Sequence, residues 1–138
     1  MLDWRDFGEA YATEMIALSK ALAMALDVEG IPVFSGMAGI TESHQFAVCA
    51  ETFGGGQSAS KTLRNAGFLA CGIELPAPAV EEDMNGLRIG TPELVRWGMT
   101  TAHADHLAAL IARGLKNEPI IPEVSHWRKD FDSLHFIH

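Results

Sequence analysis

Apolar residues recur at steps of three and four through Phe7, Tyr11, Met15, Leu18, Leu22 and Leu26, and this stripe predicts one long helix over residues 4–27. Frequent alanines, among them Ala10, Ala12, Ala17, Ala21, Ala23 and Ala25, favour the helix and allow close packing, and Gly30 and Pro32 stop it. The pattern then shifts to short apolar runs. IPVFSG, residues 31–36, predicts a strand, and MAGITES a loop. HQFAVCAE, residues 44–51, alternates as a strand with Phe46 and Val48 on one face. TFGGGQS reads as a flexible loop tip, followed by a short helix over 58–66 with Ser58 as its cap and Gly67 as its stop.

FLACGIEL, residues 68–75, predicts another strand, PAPAVEEDM an exposed acidic loop, and GLRIG, residues 86–90, the last strand. Thr91 caps and Pro92 opens a short helix that ends near Gly98. Thr100 caps a final helix over 101–113, with Leu107, Leu110 and Ile111 inward and Gly114 closing it. The tail, 115–138, holds Pro119 and Pro122 and has room for one or two further helical turns. No internal repeat interrupts the order. Hairpin-like strands beside gathered helices predict an α+β fold: a two-layer sandwich with a small, mostly antiparallel sheet of three or four strands, helices on one face and a long N-terminal helix. A helix of that length commonly runs between domains or lies across a partner.

Length and composition narrow the classes. The chain has 138 residues, 48% of them hydrophobic and 20% charged, which suits one packed domain over residues 1–138. A net charge of −8 and the lack of any Lys/Arg block argue against nucleic acid, whose phosphates need a concentrated positive surface. No apolar run reaches membrane-spanning length, and no basic segment followed by an apolar run marks a signal peptide, so a cytoplasmic location is expected. Cys49 and Cys71 lie in apolar runs and read as reduced, buried thiols, with a disulfide as the alternative.

Chemistry-bearing residues are few. His103 and His106 stand three apart on a helix, but no third ligand lies nearby, so no metal is expected. His126, His135 and His138 lie in the tail without a matching acid, and Trp4, Trp97 and Trp127 read as packing or interface residues. His44 reads first as a structural histidine bonded to backbone. The exception is Arg88, placed between Leu87 and Ile89 in a stretch that otherwise reads as a buried strand. Arginine is rarely buried without an anion. That anion is either an internal acid, such as Glu74 or Glu93, or an external carboxylate, which a guanidinium grips with two parallel N–H donors.

GLRIGTPELVRWGM, residues 86–99, resembles the substrate-arginine motif of serine hydroxymethyltransferase, whose usual form is a Ser-Gly-Ile-Arg-Ile-Gly-Thr-Pro-Ala run. Upstream, VFSGMAGITESHQFAV resembles the family's Val-Ser-Gly-Gly-Thr-Asp-Asn-His stretch, and SASKTLRNAGFLA its small-domain helix and strand. Residues 10–115 thus resemble the C-terminal small domain of these fold type I pyridoxal-phosphate enzymes, with 116–138 as an extension. The resemblance implies that Arg88 holds the α-carboxylate of glycine or serine and that Ser35, His44 and Thr91 line the same cleft.

It also implies what this chain lacks. The family's cofactor lysine, the acid near the pyridine nitrogen and the phosphate cup lie in the large domain, so pyridoxal phosphate is expected only through a missing large domain or a partner chain. SKTLRNAG around Lys61 echoes the family's cofactor-lysine run but lacks its flanking threonines and Gly-rich loop, so Lys61 reads as solvated. ACGIELP, residues 70–76, stands where the family has a polar Asn-Lys-Asn run on the folate side, which puts folate use in doubt. Trp97 and Glu93 also depart from the motif. Hydroxy-amino-acid aldolases and transaldolases share this scaffold. The expected function is therefore the C-terminal domain or subunit of an aldol-type amino-acid enzyme, inactive alone, paired with the lysine-bearing chain and oligomeric. The alternative is a non-catalytic carboxylate-binding or protein-interaction module.

Overall fold

The computed structural model describes residues 2–36 and 39–137; Met37 and Ala38 of the predicted loop, and His138 of the tail, lie outside it. Helix α1 runs Leu2–Val28, and its predicted stripe is the buried one: Tyr11, Met15, Leu18, Leu22 and Leu26 all face the core. Strand β1 (Gln45–Cys49), helix α2 (Gly56–Asn65), strand β2 (Cys71–Ile73), strand β3 (Gly86–Gly90), helix α3 (Pro92–Arg96), helix α4 (Ala104–Leu115) and helix α5 (Ile121–Arg128) follow, with 3-10 turns at Glu51–Phe53 and Thr101–His103.

The three strands form one antiparallel sheet in the order β1-β3-β2. Phe46, Val48, Leu87 and Ile89 point from its inner face into a core shared with Leu18, Leu22 and Leu26 of α1, Leu63 of α2 and Leu107 and Ile111 of α4. The fold is the α+β arrangement expected, with the helical layer on that inner face. The predicted strand at 31–36 contributes only the isolated bridge Val33–Val48. Phe34 N–H reaches Ala47 O at 2.8 Å and Cys49 N–H reaches Pro32 O at 2.8 Å, but Pro32 has no N–H with which to extend the ladder. Ile31 plugs the core instead.

Three other local expectations are corrected. The Gly-rich turn is not a loose tip. Gly56 is buried, and a Cβ there would lie 2.0 Å from Gly86 O, so the helix start sits directly on the sheet only because glycine stands at that position. The cap of α2 is not Ser58, which lies within the helix, but Asp83, whose carboxylate accepts Gln57 N–H at 2.9 Å, Ser58 N–H at 3.1 Å and Ser58 Oγ–H at 3.0 Å. Gly114 does not close α4, which continues to Leu115; a Cβ on it would come within 2.9 Å of Ala66 Cβ, just past the end of α2, so glycine lets α4 lie tight against that turn. Gly67 with φ +98° ends α2 as expected.

The tail folds back over the domain. Phe131 is buried, Phe136 stacks on Tyr11 with ring centroids 5.4 Å apart, and His135 N–H donates to Arg96 O at 2.7 Å. No helix among the described residues is long and apolar enough to cross a membrane.

Candidate functional site

β3 alternates strictly: Leu87 and Ile89 point inward, and Arg88 points to the opposite, open face of the sheet. The expectation of a buried arginine is therefore corrected. Arg88 is exposed, at the centre of the middle strand, with Ala47 of β1 and Cys71 of β2 directly across from it. Side chains opposite one another in a ladder share a face, so these three make the centre of an outer surface to which Ile73 and Gln45 also belong. The segments 34 and 39–43 border it, leaving an open groove of about 340 Å³ whose lining includes Phe34, Ile40, Thr41, Ala47, Ile73 and Arg88. Thr41 Oγ1 accepts Ser43 N–H at 3.0 Å and donates to Gln45 O, which fixes the rim of the groove.

Among the described residues lining this groove Arg88 is the one cation; the carboxylate of Glu42 lines it as well, but no ion pair joins Arg88 to Glu42 or to any other acid of the described residues. The ion pairs among them join Arg5 to Asp6 and Arg113 to Glu118 and Glu123, so neither Glu74 nor Glu93 is the partner of Arg88. Its contact is with Cys71: Nη2 lies 3.6 Å from Sγ. Cys71 is exposed and Cys49 half-buried, both free, which corrects the expectation of buried thiols. Their environment is the open sheet face, not the core.

Thr91, Ser35 and His44 are placed differently from Arg88. Thr91 is fully buried at the end of β3; its Oγ1 donates within reach of Met15 O (2.8 Å) and His44 O (3.0 Å), and its N–H reaches His44 O at 2.9 Å. It caps α3 by position without a side-chain bond to the helix. Ser35 and His44 are exposed on the segments leading to and from the rim. The part His44 plays in the described contacts is through its carbonyl, which fastens the start of β1 to the end of β3.

Asp83 stands just ahead of β3, beside the start of α2. The three N–H and O–H donors on Asp83, led by Gln57 N–H, together with Met84 N–H, hold its carboxyl down at about 2. Nearby Asn85 is buried, accepting Leu75 N–H at 2.6 Å and donating to Leu75 O and Ala77 O at 2.9 and 3.0 Å, so the Pro-rich loop is anchored, not loose. His103 accepts Thr100 N–H on Nδ1 at 2.9 Å, a capping role, and no group of three metal-ligating side chains occurs among the described residues. Lys20, Lys61, Lys116 and Lys129 are all exposed, and none lines the groove. The described lining of the groove thus pairs one guanidinium, Arg88, with one carboxylate, Glu42, and holds no lysine amine of the kind a Schiff base with pyridoxal phosphate requires.

Sequence reasoning found Arg88 through its motif and missed Cys71 as its neighbour. That contact depends on cross-strand register, which sequence alone does not carry.

No family model matches the chain. It is 53% identical over 141 residues to alpha-methylserine aldolase from Ralstonia sp, a match covering 99% of this chain and 32% of that protein. It is 36% identical over 125 residues to serine hydroxymethyltransferase from Saccharolobus solfataricus, covering 89% of this chain and 29% of that protein. The chain therefore spans about a third of the length of the curated relatives it matches, and the part matched is their C-terminal third. Among solved structures, L-threonine transaldolase from Pseudomonas fluorescens, in an internal aldimine state, superposes with a TM-score of 0.81 over 97% of this chain and 31% of that one; at 24% identity this establishes a shared fold. The resemblance seen in the arginine motif thus extends over the whole chain.

Proposed function

We propose that this domain supplies the carboxylate-binding arginine of a pyridoxal-phosphate-dependent aldol-type enzyme acting on an amino acid. The observation that carries the reading is Arg88 itself: a guanidinium on an open sheet face, in a groove, with no carboxylate partner among the described residues. A charged fork left without an anion is set to take one from outside. The α-carboxylate of a small amino acid fits both its geometry and the size of the groove. The identities favour chemistry like that of alpha-methylserine aldolase, at 53%, over that of serine hydroxymethyltransferase, at 36%. The apolar Phe34, Ile40 and Ile73 beside Arg88 suit a ligand whose remaining surface is small and partly apolar.

The groove offers no lysine to hold the cofactor as a Schiff base. In this reading pyridoxal phosphate and its lysine belong to the portion that the relatives have in addition, whether in the same polypeptide or in a partner, and there the cofactor stabilises carbanionic charge at the α-carbon. This chain's task is to bind and orient the carboxylate so that the bond to be broken is correctly placed. The exposed Trp4, Met24, Val28 and Leu69 support burial against such a partner or a second copy, and the reading places the assembly in the cytoplasm.

The test is Arg88→Lys in the assembled enzyme. Lysine keeps the charge but loses the fork, so KM for the amino acid is expected to rise by about tenfold or more. An unchanged KM refutes the reading. Heat on titrating an amino acid into the domain, with no aldol activity in the assembly, would instead indicate a carboxylate-binding module.

A further inference from the structure

Arg88 needs more than freedom from an internal acid. A guanidinium on a long side chain samples many rotamers, and each must be given up when a ligand is gripped. Groups that hold the fork in place beforehand lower that cost. The neighbours directly across the ladder are Ala47, which is too small and apolar to do so, and Cys71, whose sulfur lies 3.6 Å from Nη2. Sulfur is a weak acceptor that carries no formal charge as a thiol. It can orient the guanidinium without neutralising it, which a carboxylate at the same place would do. Arginine has five N–H donors, and one engaged by sulfur leaves the rest for an incoming anion.

We propose that Cys71 is a positioning residue for Arg88: its sulfur accepts the Nη2 N–H and presets the fork for a ligand carboxylate. This rests on the carboxylate reading of Arg88 and deepens it. Position 71 is then fixed by two demands, a side chain small enough to lie beneath the guanidinium and an uncharged acceptor atom. Cysteine and serine meet both; alanine meets only the first.

The contact is tested first on the chain itself by alkylation, read separately at each thiol by mass spectrometry. The thiolate sulfur attacks the methylene carbon of iodoacetate or iodoacetamide, the carbon–iodine bond breaks, iodide leaves and the thiol proton passes to solvent. At Cys71 the anionic reagent is expected to be favoured over the neutral one by about fivefold more than at Cys49, since a nearby cation concentrates anions. Cys49 serves as the internal control, and Arg88→Gln should abolish the bias. If the bias is absent, or survives Arg88→Gln, the contact does not exist in solution and the inference fails.

The positioning role is read in the assembled enzyme. Cys71→Ala is expected to raise KM for the amino acid about fivefold while kcat stays within about twofold, and Cys71→Ser to restore KM to near its original value. Equal effects of the two variants, or no effect of either, overturn the proposal, because packing alone does not distinguish a hydroxyl from a methyl through KM. If instead Arg88→Gln leaves KM unchanged while the alkylation bias still depends on Arg88, it is the carboxylate reading that falls.

Discussion

The two faces of β3 are built from alternate residues of one five-residue strand. Leu87 and Ile89 lie in the core between α1, α2 and α4, where packing with Leu18, Leu22 and Leu63 holds the sheet to the helices. Arg88, one residue away, lies on the face the helices leave open, beside Ala47 and Cys71. Core packing and an exposed guanidinium are thereby separated by one residue along the strand. The inner face can be close-packed without regard to ligands, and the outer face can keep an unneutralised cation without burying it.

Breaking the inner face should have the largest effect. Leu87→Ala is expected to destabilise the domain by about 3 kcal/mol, because a fully buried leucine leaves a cavity the helices cannot close. Arg88→Gln, one position on, should leave stability within about 0.5 kcal/mol, since the side chain is exposed and unpaired with any acid of the described residues. Urea unfolding of the two variants measures the contrast directly, and comparable losses would mean the faces are not independent.

Thr91→Val examines the seam between the faces. It removes the hydroxyl that bonds Met15 O and His44 O with little change in volume, and about 1 kcal/mol of stability should be lost. The smallest effect belongs to Asp83, just ahead of β3. The donors around Asp83 lower its carboxyl from 3.8 to about 2, so its contribution is present above that ordinary value and is lost as pH falls from 3.8 through about 2. Asp83→Asn should therefore narrow its stability gap from the parent protein across that acid window in circular dichroism titrations, and a constant gap would show that the cap does not act through charge.

What the sequence disclosed follows the range of the interactions concerned. The α1 stripe, the Gly67 stop and Pro92 at the start of α3 are local, and all three stand as read. The capping of α2 is not local: Asp83 lies 25 residues beyond the Ser58 it bonds, so nearby Ser58 was the nearest reading and the wrong one. The Gly-rich turn looked loose because nothing in the chain order shows Gly86 O pressed against Gly56. The strand at 31–36 failed because an apolar run cannot reveal that its Pro32 lies at a sheet edge. The outward direction of Arg88 was legible in the alternation of Leu87, Arg88 and Ile89, but the apolar neighbours masked the period of two. The acid-free setting of Arg88 and its Cys71 neighbour required the register.

Thr91 has a mechanical consequence for the groove. One hydroxyl and one N–H rivet the middle of α1, the approach to β1 and the exit of β3 together at a point with no solvent access. The end of the strand that carries Arg88 is therefore pinned to two other segments. A ligand of the kind proposed for the open side would then be met chiefly by rotation about side-chain bonds, over a floor pinned at one end.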